Sequence, residues 1–242
     1  MIKFMENTLK ILIGSPISKK SVYALNKFIR NQLKIYKKTK HKCLTVFASE
    51  DIKKLPVKNK NFVLINFKPI IKGKDRVWKI VGARNAIREY FLSKDFDYLV
   101  FLDSDMTFEP EIINKLVEKA KEGYDVVYNI YRLKNGQVAY SGFGGTLIKR
   151  WVMEKVKFRC YEDVKIVVDE INCFKKDLFK IKAKIWRGLI VKSIHHDKNK
   201  EWIMNKELTT KEKIFNWVSD KLLSILPETF FVRLVKFSRG FL

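Results

Sequence analysis

The chain has 242 residues, of which 47% are hydrophobic and 13% aromatic, so it can bury a substantial core as one large domain or two small ones. Its 10 Gly and 5 Pro exclude a fibrous or low-complexity chain. The formal net charge of +24 favours polyanionic partners such as nucleic acid, an anionic membrane or phosphate-rich small molecules, although a lysine-rich proteome gives the same excess.

The three cysteines, Cys43, Cys160 and Cys173, are widely spaced and form no CxxC pair. They indicate neither a zinc knuckle nor a disulfide framework, and we expect reduced, structural thiols in an intracellular protein. The first apolar stretch, at residues 11–13, is too short for the core of a signal peptide. Because no uninterrupted apolar run approaches the roughly 18 residues of a transmembrane helix, we expect a cytoplasmic location.

The first half of the chain alternates between strand and helix patterns. Short apolar runs predict strands at residues 9–14, 42–48, 61–67, 97–102 and 125–131. Apolar residues at helical spacing predict helices at residues 22–36, 76–92 and 111–122, the last with Pro110 at its start. This alternation predicts an α/β fold with a mostly parallel sheet flanked by helices.

The second half is less regular. It contains a glycine cluster at residues 142–145, a helix-like segment at 147–156 and a strand candidate at 188–194 that ends in two histidines. No linker or repeat separates the halves. We therefore predict one main domain at residues 1–199 and an amphipathic helical tail at residues 200–242.

A pair of aspartates, Asp103 and Asp105, directly follows the strongest strand candidate, residues 97–102. In open α/β sheets, ligands bind just beyond the carboxyl ends of the strands. Two carboxylates one residue apart can there share a hard cation with phosphate oxygens of a substrate. The alternative is a solvated turn that precedes the next helix.

These features resemble glycosyltransferase family 2 and related GT-A glycosyltransferases, whose hallmark is a strand that ends in Asp-x-Asp. The resemblance covers roughly residues 9–196. It rests on the opening strand with Pro16, the helix start at residues 82–85, and the segments 101–105, 142–150 and 188–196. It implies a GT-A-like fold and metal-dependent transfer of a sugar from a nucleotide-diphosphate donor to an acceptor hydroxyl or phosphate, for which a lipid-linked acceptor is one option.

The resemblance also implies roles for individual residues. Asp105 would bind the divalent metal, Mn²⁺ or Mg²⁺, and Asp103 would contact both the metal and the nucleotide ribose. The implied nucleotide-sugar-binding set is Ser15, Pro16, Arg84, Asn85, Asp103 and Ser104. Ser15 and Pro16 are equally explained as a turn, and Arg84 as a surface arginine.

A catalytic base is implied by the acidic pair that inverting family members carry about a helix before the final strand. The chain offers residues 162–163 and 169–170. Distance to residues 184–186 favours Asp169 and Glu170, although their order reverses the family's usual Glu-Asp. A carboxylate there could take the proton of the attacking acceptor hydroxyl, and a charged helix face is the alternative.

Two histidines, His195 and His196, end the late strand, where a family histidine can complete the metal site. Alternation along a strand places their rings on opposite faces, so at most one is a ligand. We favour His195.

Three other interpretations remain open. A nucleotidyltransferase shares the sheet, acidic pair and metal, but usually has a glycine-rich signature near the first strand, which residues 11–20 lack. A non-enzymatic nucleic-acid-binding protein explains the charge but does not require the Asp103–Asp105 pair, and we expect no nucleic-acid partner. A degenerate scaffold without catalysis is the third.

The tail carries apolar residues largely on one side of a predicted helix at residues 211–226, which Pro227 ends. Beyond it, aromatic and aliphatic residues accompany Arg233, Lys236 and Arg239. This pattern suits an anionic bilayer interface, so residues 211–242 predict peripheral association with the inner face of the membrane. Packing on the main domain or on a second subunit is the alternative, and the oligomeric state is left open.

Overall fold

The computed structural model describes residues 8–68, 76–163, 166–168, 170–227 and 230, without the side chains of residues 161–163, 166–168 and 223. In chain order the strands are β1 (Lys10–Pro16), β2 (Lys42–Ser49), β3 (Phe62–Asn66), β4 (Tyr98–Phe101), β5 (Met106–Phe108), β6 (Val126–Asn129), β7 (Tyr131–Arg132), β8 (Val138–Ala139), β9 (Thr146–Lys149), β10 (Tyr161–Asp163), β11 (Ile166–Val168), β12 (Ile185–Gly188), β13 (Ser193–His196) and β14 (Glu201–Met204). The α-helices are α1 (Val22–Lys38), α2 (Arg76–Leu92), α3 (Ile112–Lys121), α4 (Arg150–Lys155), α5 (Glu170–Lys180) and α6 (Thr210–Ile225).

A seven-stranded sheet in the order β12-β6-β9-β4-β1-β2-β3 forms the centre of the fold. Every pairing in it is parallel except those of β9, which runs antiparallel to both β4 and β6. Apolar residues of α1 and α3 pack on one face, and those of α2, α4 and α5 on the other. The predicted mostly parallel sheet between helices is therefore confirmed.

Two segments of the second half differ from the prediction. The segment at 147–156, predicted as a helix, is the strand β9 followed by the short helix α4. Leu147 and Ile148 are fully buried between two neighbouring strands, and a short apolar run cannot reveal that environment by its period alone. The single strand predicted at 188–194 is interrupted between β12 and β13, because Asn129 Oδ1 accepts hydrogen bonds from the backbone N–H groups of Ile190 and Val191 at 2.8 and 3.0 Å.

A second, three-stranded sheet in the order β14-β13-β5 lies beside the central one. Its strand β5 begins directly after Asp105, and His195 on β13 is in register with Met106. The hairpin of β13 and β14 extends this sheet to Met204, past residue 199, where the main domain was predicted to end. The helix α6 starts at a capping box of Thr209 and Glu212 and lies within one residue of the predicted helix.

A buried cluster of charges holds α6 against the main domain. Asp220 of α6 lies 2.7 Å from Lys175 Nζ of α5 and 2.5 Å from a guanidinium nitrogen of Arg187 of β12. Burial lowers the pKa of Lys175, while the charge of Asp220 opposes that shift. The side of α6 away from this cluster leaves Phe215 and Ile225 exposed at 70 and 73%, and Trp217, within one turn of Asp220, is exposed at 62%.

In the part of the chain that the structure describes, no helix is long and apolar enough to cross a bilayer.

Candidate functional site

A cavity of about 650 Å³ opens at the carboxyl ends of the parallel strands. Gly14 of β1 is in register with Phe101 of β4, so the residues that follow these two positions come together at one edge of the sheet. The residues of the predicted site that line the cavity are Pro16, Arg84, Asp103, Ser104 and Asp105. This is the edge of the sheet at which open α/β folds bind ligands.

The turn at residues 103–105 is fixed by backbone contacts on both sides. The N–H of Met106 donates to the carbonyl of Asp103 at 3.0 Å, which closes the turn. The hydroxyl of Ser104 donates to the carbonyl of Pro16 at 3.0 Å, and the N–H of His196 donates to the carbonyl of Asp105 at 2.7 Å. Ser104 therefore helps to tie the turn to β1, and the two flanking carboxylates are held in place at the cavity.

Arg84 of α2 provides a buried positive charge next to this turn. Its side chain is 5% exposed, and its guanidinium lies 3.4 Å from Asp103 and 3.6 Å from Glu170. The guanidinium also stacks over the ring of Phe143, 4.2 Å from the centroid. Among the described residues, its Nε and one terminal nitrogen have no hydrogen-bond partner. A buried donor without a partner is costly, and an anion in the cavity could satisfy it.

His195 and Lys134 both contact the same oxygen of Asp105. His195 Nε2 lies 3.3 Å from Asp105 Oδ2, and Lys134 Nζ lies 3.1 Å from it. Burial acts to raise the pKa of Asp105, but the hydrogen bond and charge of His195, with the charge of Lys134, bring it below the ordinary value. Burial acts to lower the pKa of His195, and its bond to Asp105 raises it overall. Asp105 is thus an ionised carboxylate between two basic groups.

Asp103 is in a different electrostatic environment. Burial raises the pKa of its carboxyl, and the negative charge of Asp105 adds to this, while the charge of Arg84 opposes it. The side chain still keeps 26% of its surface exposed towards the cavity. A cation placed next to both carboxylates would relieve the repulsion between them.

The chemistry of these side chains fits a divalent metal. His195 Nδ1 lies 2.9 Å from the carbonyl oxygen of Arg132, which can only accept, so Nδ1 carries a proton and Nε2 is the nitrogen that faces Asp105. A backbone carbonyl commonly orients a metal-binding histidine in this way. No group of three or more His, Cys, Asp and Glu side chains with metal-binding geometry occurs within the described ranges. A metal here would thus draw remaining ligands from substrate oxygens and water, as Mg²⁺ commonly does.

The structure places three other predicted residues away from the cavity lining. Ser15 is fully buried inside β1. Asn85 forms two hydrogen bonds with the backbone of Phe158, at 2.8 and 3.0 Å. The ring nitrogens of His196 lie 3.0 Å from Thr107 Oγ1 and 2.9 Å from a carboxylate oxygen of Glu201. These contacts give each residue a structural role, and their functional roles stay predictions.

The acidic candidates for the base are only partly described. Asp169 and the side chains of Glu162 and Asp163 lie outside the described part of the structure. Glu170 begins α5 and is buried, with its carboxylate towards Arg84. It does not line the cavity, so Glu170 is placed to act on Arg84, and the assignment of the base stays a prediction.

Several polar residues of the cavity were missed by the sequence analysis. Glu50 and Asp51 follow β2, Lys79 lies on α2, and Lys134 lies in the turn between β7 and β8. Glu50 and Asp51 could have been found from the sequence, because they follow a predicted strand. The strand β2 is parallel to β1, so its carboxyl end lies at the same edge of the sheet. No comparable local signal marks Lys134, which approaches Asp105 only through the folding of a separate hairpin.

A mostly parallel sheet with an Asp-x-Asp turn at its carboxyl edge is typical of the GT-A class of glycosyltransferase folds. The sequence profile described as glycosyl transferase family 2 matches residues 60–180, half of the chain. The chain belongs to this family. The matched segment runs from the start of β3 to the end of α5 and includes Arg84, Asp103 and Asp105.

Individual relatives agree with this assignment. An uncharacterized glycosyltransferase of Synechocystis sp., sll0501, is 39% identical over 69 residues, which are 26% of this chain and 22% of that relative. The S. aureus TarS fragment 1-349, solved with UDP-GlcNAc, superposes with a TM-score of 0.52 at 11% identity and covers 92% of this chain and 69% of its own. The protein A197 from STIV superposes with a TM-score of 0.50 at 19% identity. The superposition covers 83% of this chain and 97% of A197. At these identities the two structures show the shared fold.

Proposed function

We propose that this protein transfers a sugar from a nucleoside-diphosphate donor to an acceptor hydroxyl or phosphate with the help of a divalent metal. The observation that carries the proposal is the cavity, which combines Asp103, Asp105 and the partly unsatisfied guanidinium of Arg84 at the carboxyl edge of the sheet. Such a set of groups can bind an anion and a cation together. Membership of glycosyltransferase family 2 and the nucleotide sugar bound by TarS support the same chemistry.

Each residue then has a distinct task. Asp105 and His195 would hold the metal, and Asp103 would contact the metal and the ribose. Arg84 would donate to a diphosphate oxygen through its free guanidinium nitrogen. When bound, the metal stabilises the negative charge that develops on the departing diphosphate. Pro16 would line the nucleoside side of the cavity.

The base is proposed at Asp169, with a separate role for its neighbour. Glu170 pairs with Arg84 and does not line the cavity, so it would orient the guanidinium. Asp169 would accept the proton of the acceptor hydroxyl as that hydroxyl attacks the anomeric carbon.

Thermal unfolding provides the direct test of donor and metal binding. We expect UDP or GDP with Mn²⁺ to raise the melting temperature by roughly 5–10 °C at about a hundredfold excess over Kd. EDTA is expected to remove the shift, and Mg²⁺ or Mn²⁺ to restore it. Full stabilisation in EDTA would show that basic side chains alone hold the diphosphate. Stabilisation by nucleoside triphosphates but not diphosphates would favour a nucleotidyltransferase, and stabilisation by oligonucleotides alone would favour a nucleic-acid-binding protein.

We further propose that α6 docks this enzyme on an anionic membrane, which would suit a lipid-linked acceptor. Phe215 and Ile225 are exposed on α6, and lysines at 211, 213 and 221 lie on the same helix. Apolar side chains accompanied by cations match the lipid-water interface of an anionic bilayer. The net charge of +24 acts in the same direction. Phe230, which follows α6 in the chain, is also exposed.

Vesicle binding tests this proposal. We expect replacement of Phe215 and Ile225 by serine to weaken binding to vesicles of equal parts phosphatidylserine and phosphatidylcholine by at least about tenfold, because two apolar side chains no longer leave water. The matched control replaces Val22 and Val57, which are also exposed but lie elsewhere, and should bind like the wild type. Sedimentation at low salt gives both affinities. Equal binding by both variants, or self-association that depends on α6 without vesicle binding, would contradict membrane docking.

A further inference from the structure

Lys134 occupies a position at the site that neither the motif nor the family match explains. It lies in a turn that the N–H of Gly136 closes by donating to the carbonyl of Leu133 at 2.9 Å. Gly136 has a φ of +83°, which favours glycine and lets the hairpin turn back tightly. The hairpin of β7 and β8 therefore presents Lys134 to the cavity from outside the central sheet.

The ammonium group of Lys134 is already engaged by the site. It lies 3.1 Å from Asp105 Oδ2 and 3.9 Å from Asp197, and it donates to the hydroxyl of Tyr23 at 2.7 Å. The same Asp105 oxygen faces His195 Nε2. Lys134 thus places a cation at one oxygen of the carboxylate that is proposed to hold the metal.

An ammonium and a divalent metal repel each other at such a short distance, so they compete for Asp105. The lysine side chain is 35% exposed and has a flexible four-carbon stem, which allows its charged group to move within the cavity. A diphosphate that arrives with the metal brings oxygens to which the displaced ammonium can donate.

We infer that Lys134 occupies the cation position at Asp105 while the site is empty, and that it moves to the donor's diphosphate when the metal binds. The inference rests on the proposed function. Its consequence is that metal binding depends on the donor. Lys134 weakens the affinity of the empty enzyme for the metal alone. It strengthens the affinity of the metal-loaded enzyme for a nucleoside diphosphate.

The test measures both affinities in Lys134→Met, which removes the charge and keeps most of the length of the side chain. Mn²⁺ binding without nucleotide, followed by the EPR signal of free Mn²⁺, is expected to tighten by about fivefold or more. Binding of UDP and GDP at saturating Mn²⁺, measured by calorimetry, is expected to weaken by about tenfold. Loss of a purely structural contact would not move the two affinities in opposite directions.

Two further variants complete the design. Lys37→Met removes an exposed charge of α1 that does not line the cavity, and should change either affinity by less than about twofold. Lys134→Arg keeps the charge and should bind Mn²⁺ like the wild type. Equal Mn²⁺ affinity in the wild type and Lys134→Met, or no Mn²⁺ binding to either, would overturn the inference. Mn²⁺ binding could tighten as expected while neither the wild type nor any variant binds a nucleoside diphosphate. That result would support competition between Lys134 and the metal at Asp105. It would contradict both the movement of Lys134 to the diphosphate and the proposed function.

Discussion

Replacing Asp105 by alanine is expected to lower the rate of sugar transfer by at least about 10³-fold, because the substitution removes the carboxylate proposed to hold the metal on the departing diphosphate. The rate is measured as release of nucleoside diphosphate from the donor sugar whose nucleotide stabilises the protein most. The side chain lies at the end of a strand, facing the cavity, so the fold should survive its loss. Circular dichroism checks that point.

Asp197 offers a matched control for this substitution. Its carboxylate lies 3.9 Å from the same Lys134 ammonium, but its side chain is 45% exposed and does not follow a strand of the central sheet. We expect Asp197→Ala to change the rate by less than about threefold, as for an exposed ion pair. Unchanged turnover in Asp105→Ala, or equal losses in both variants, would remove Asp105 from the metal site.

The second large effect is expected at the proposed base. Asp169→Asn should lower kcat by at least about 10²-fold, the usual scale for loss of a general base, while the affinity for a nucleoside diphosphate stays unchanged. Single-turnover rates and calorimetry separate the two quantities.

Glu170→Gln should behave differently, because its carboxylate contacts Arg84 and does not line the cavity. We expect weaker binding of the nucleoside diphosphate as the main change, since Arg84 loses one of its two acidic neighbours. If Asp169→Asn is silent while Asp163→Asn abolishes transfer, the base belongs to the earlier acidic pair. A loss of kcat in Glu170→Gln with donor affinity intact would instead make Glu170 the base.

The parallel part of the fold could be predicted from the sequence because its elements are local patterns of adequate length. The segment 76–92, predicted as helical at least from Gly82, is helical throughout as α2, and the strands on either side of it were identified within a few residues. The strand β9 could not be predicted in this way. Its four residues become a strand because β4 and β6 leave an antiparallel position between them, and that contact is distant in sequence.

In the candidate site, too, residues set by local sequence could be predicted and residues set by distant contacts could not. Asp103 and Asp105 could be found because motif and strand are adjacent in the chain. Arg84 and Asn85 look equivalent in sequence, yet one faces the cavity and the other binds the backbone of Phe158. Tertiary packing around α2 decides between them. Lys134 was missed because no local pattern indicates which loop approaches Asp105.

The attachment of α6 has a consequence for how the enzyme would meet a surface. Asp220 binds cations of two separate elements, so this one residue of α6 is held from two directions and the helix resists turning about its own axis. One of these partners, Lys175, lies on α5, the helix that begins at Glu170 beside Arg84. If the exposed side of α6 lies in a bilayer, the orientation of α6 would therefore set the tilt of the central sheet relative to the membrane plane. That tilt would fix the height above the headgroups at which the cavity opens, and with it how far from the lipid an acceptor can be reached.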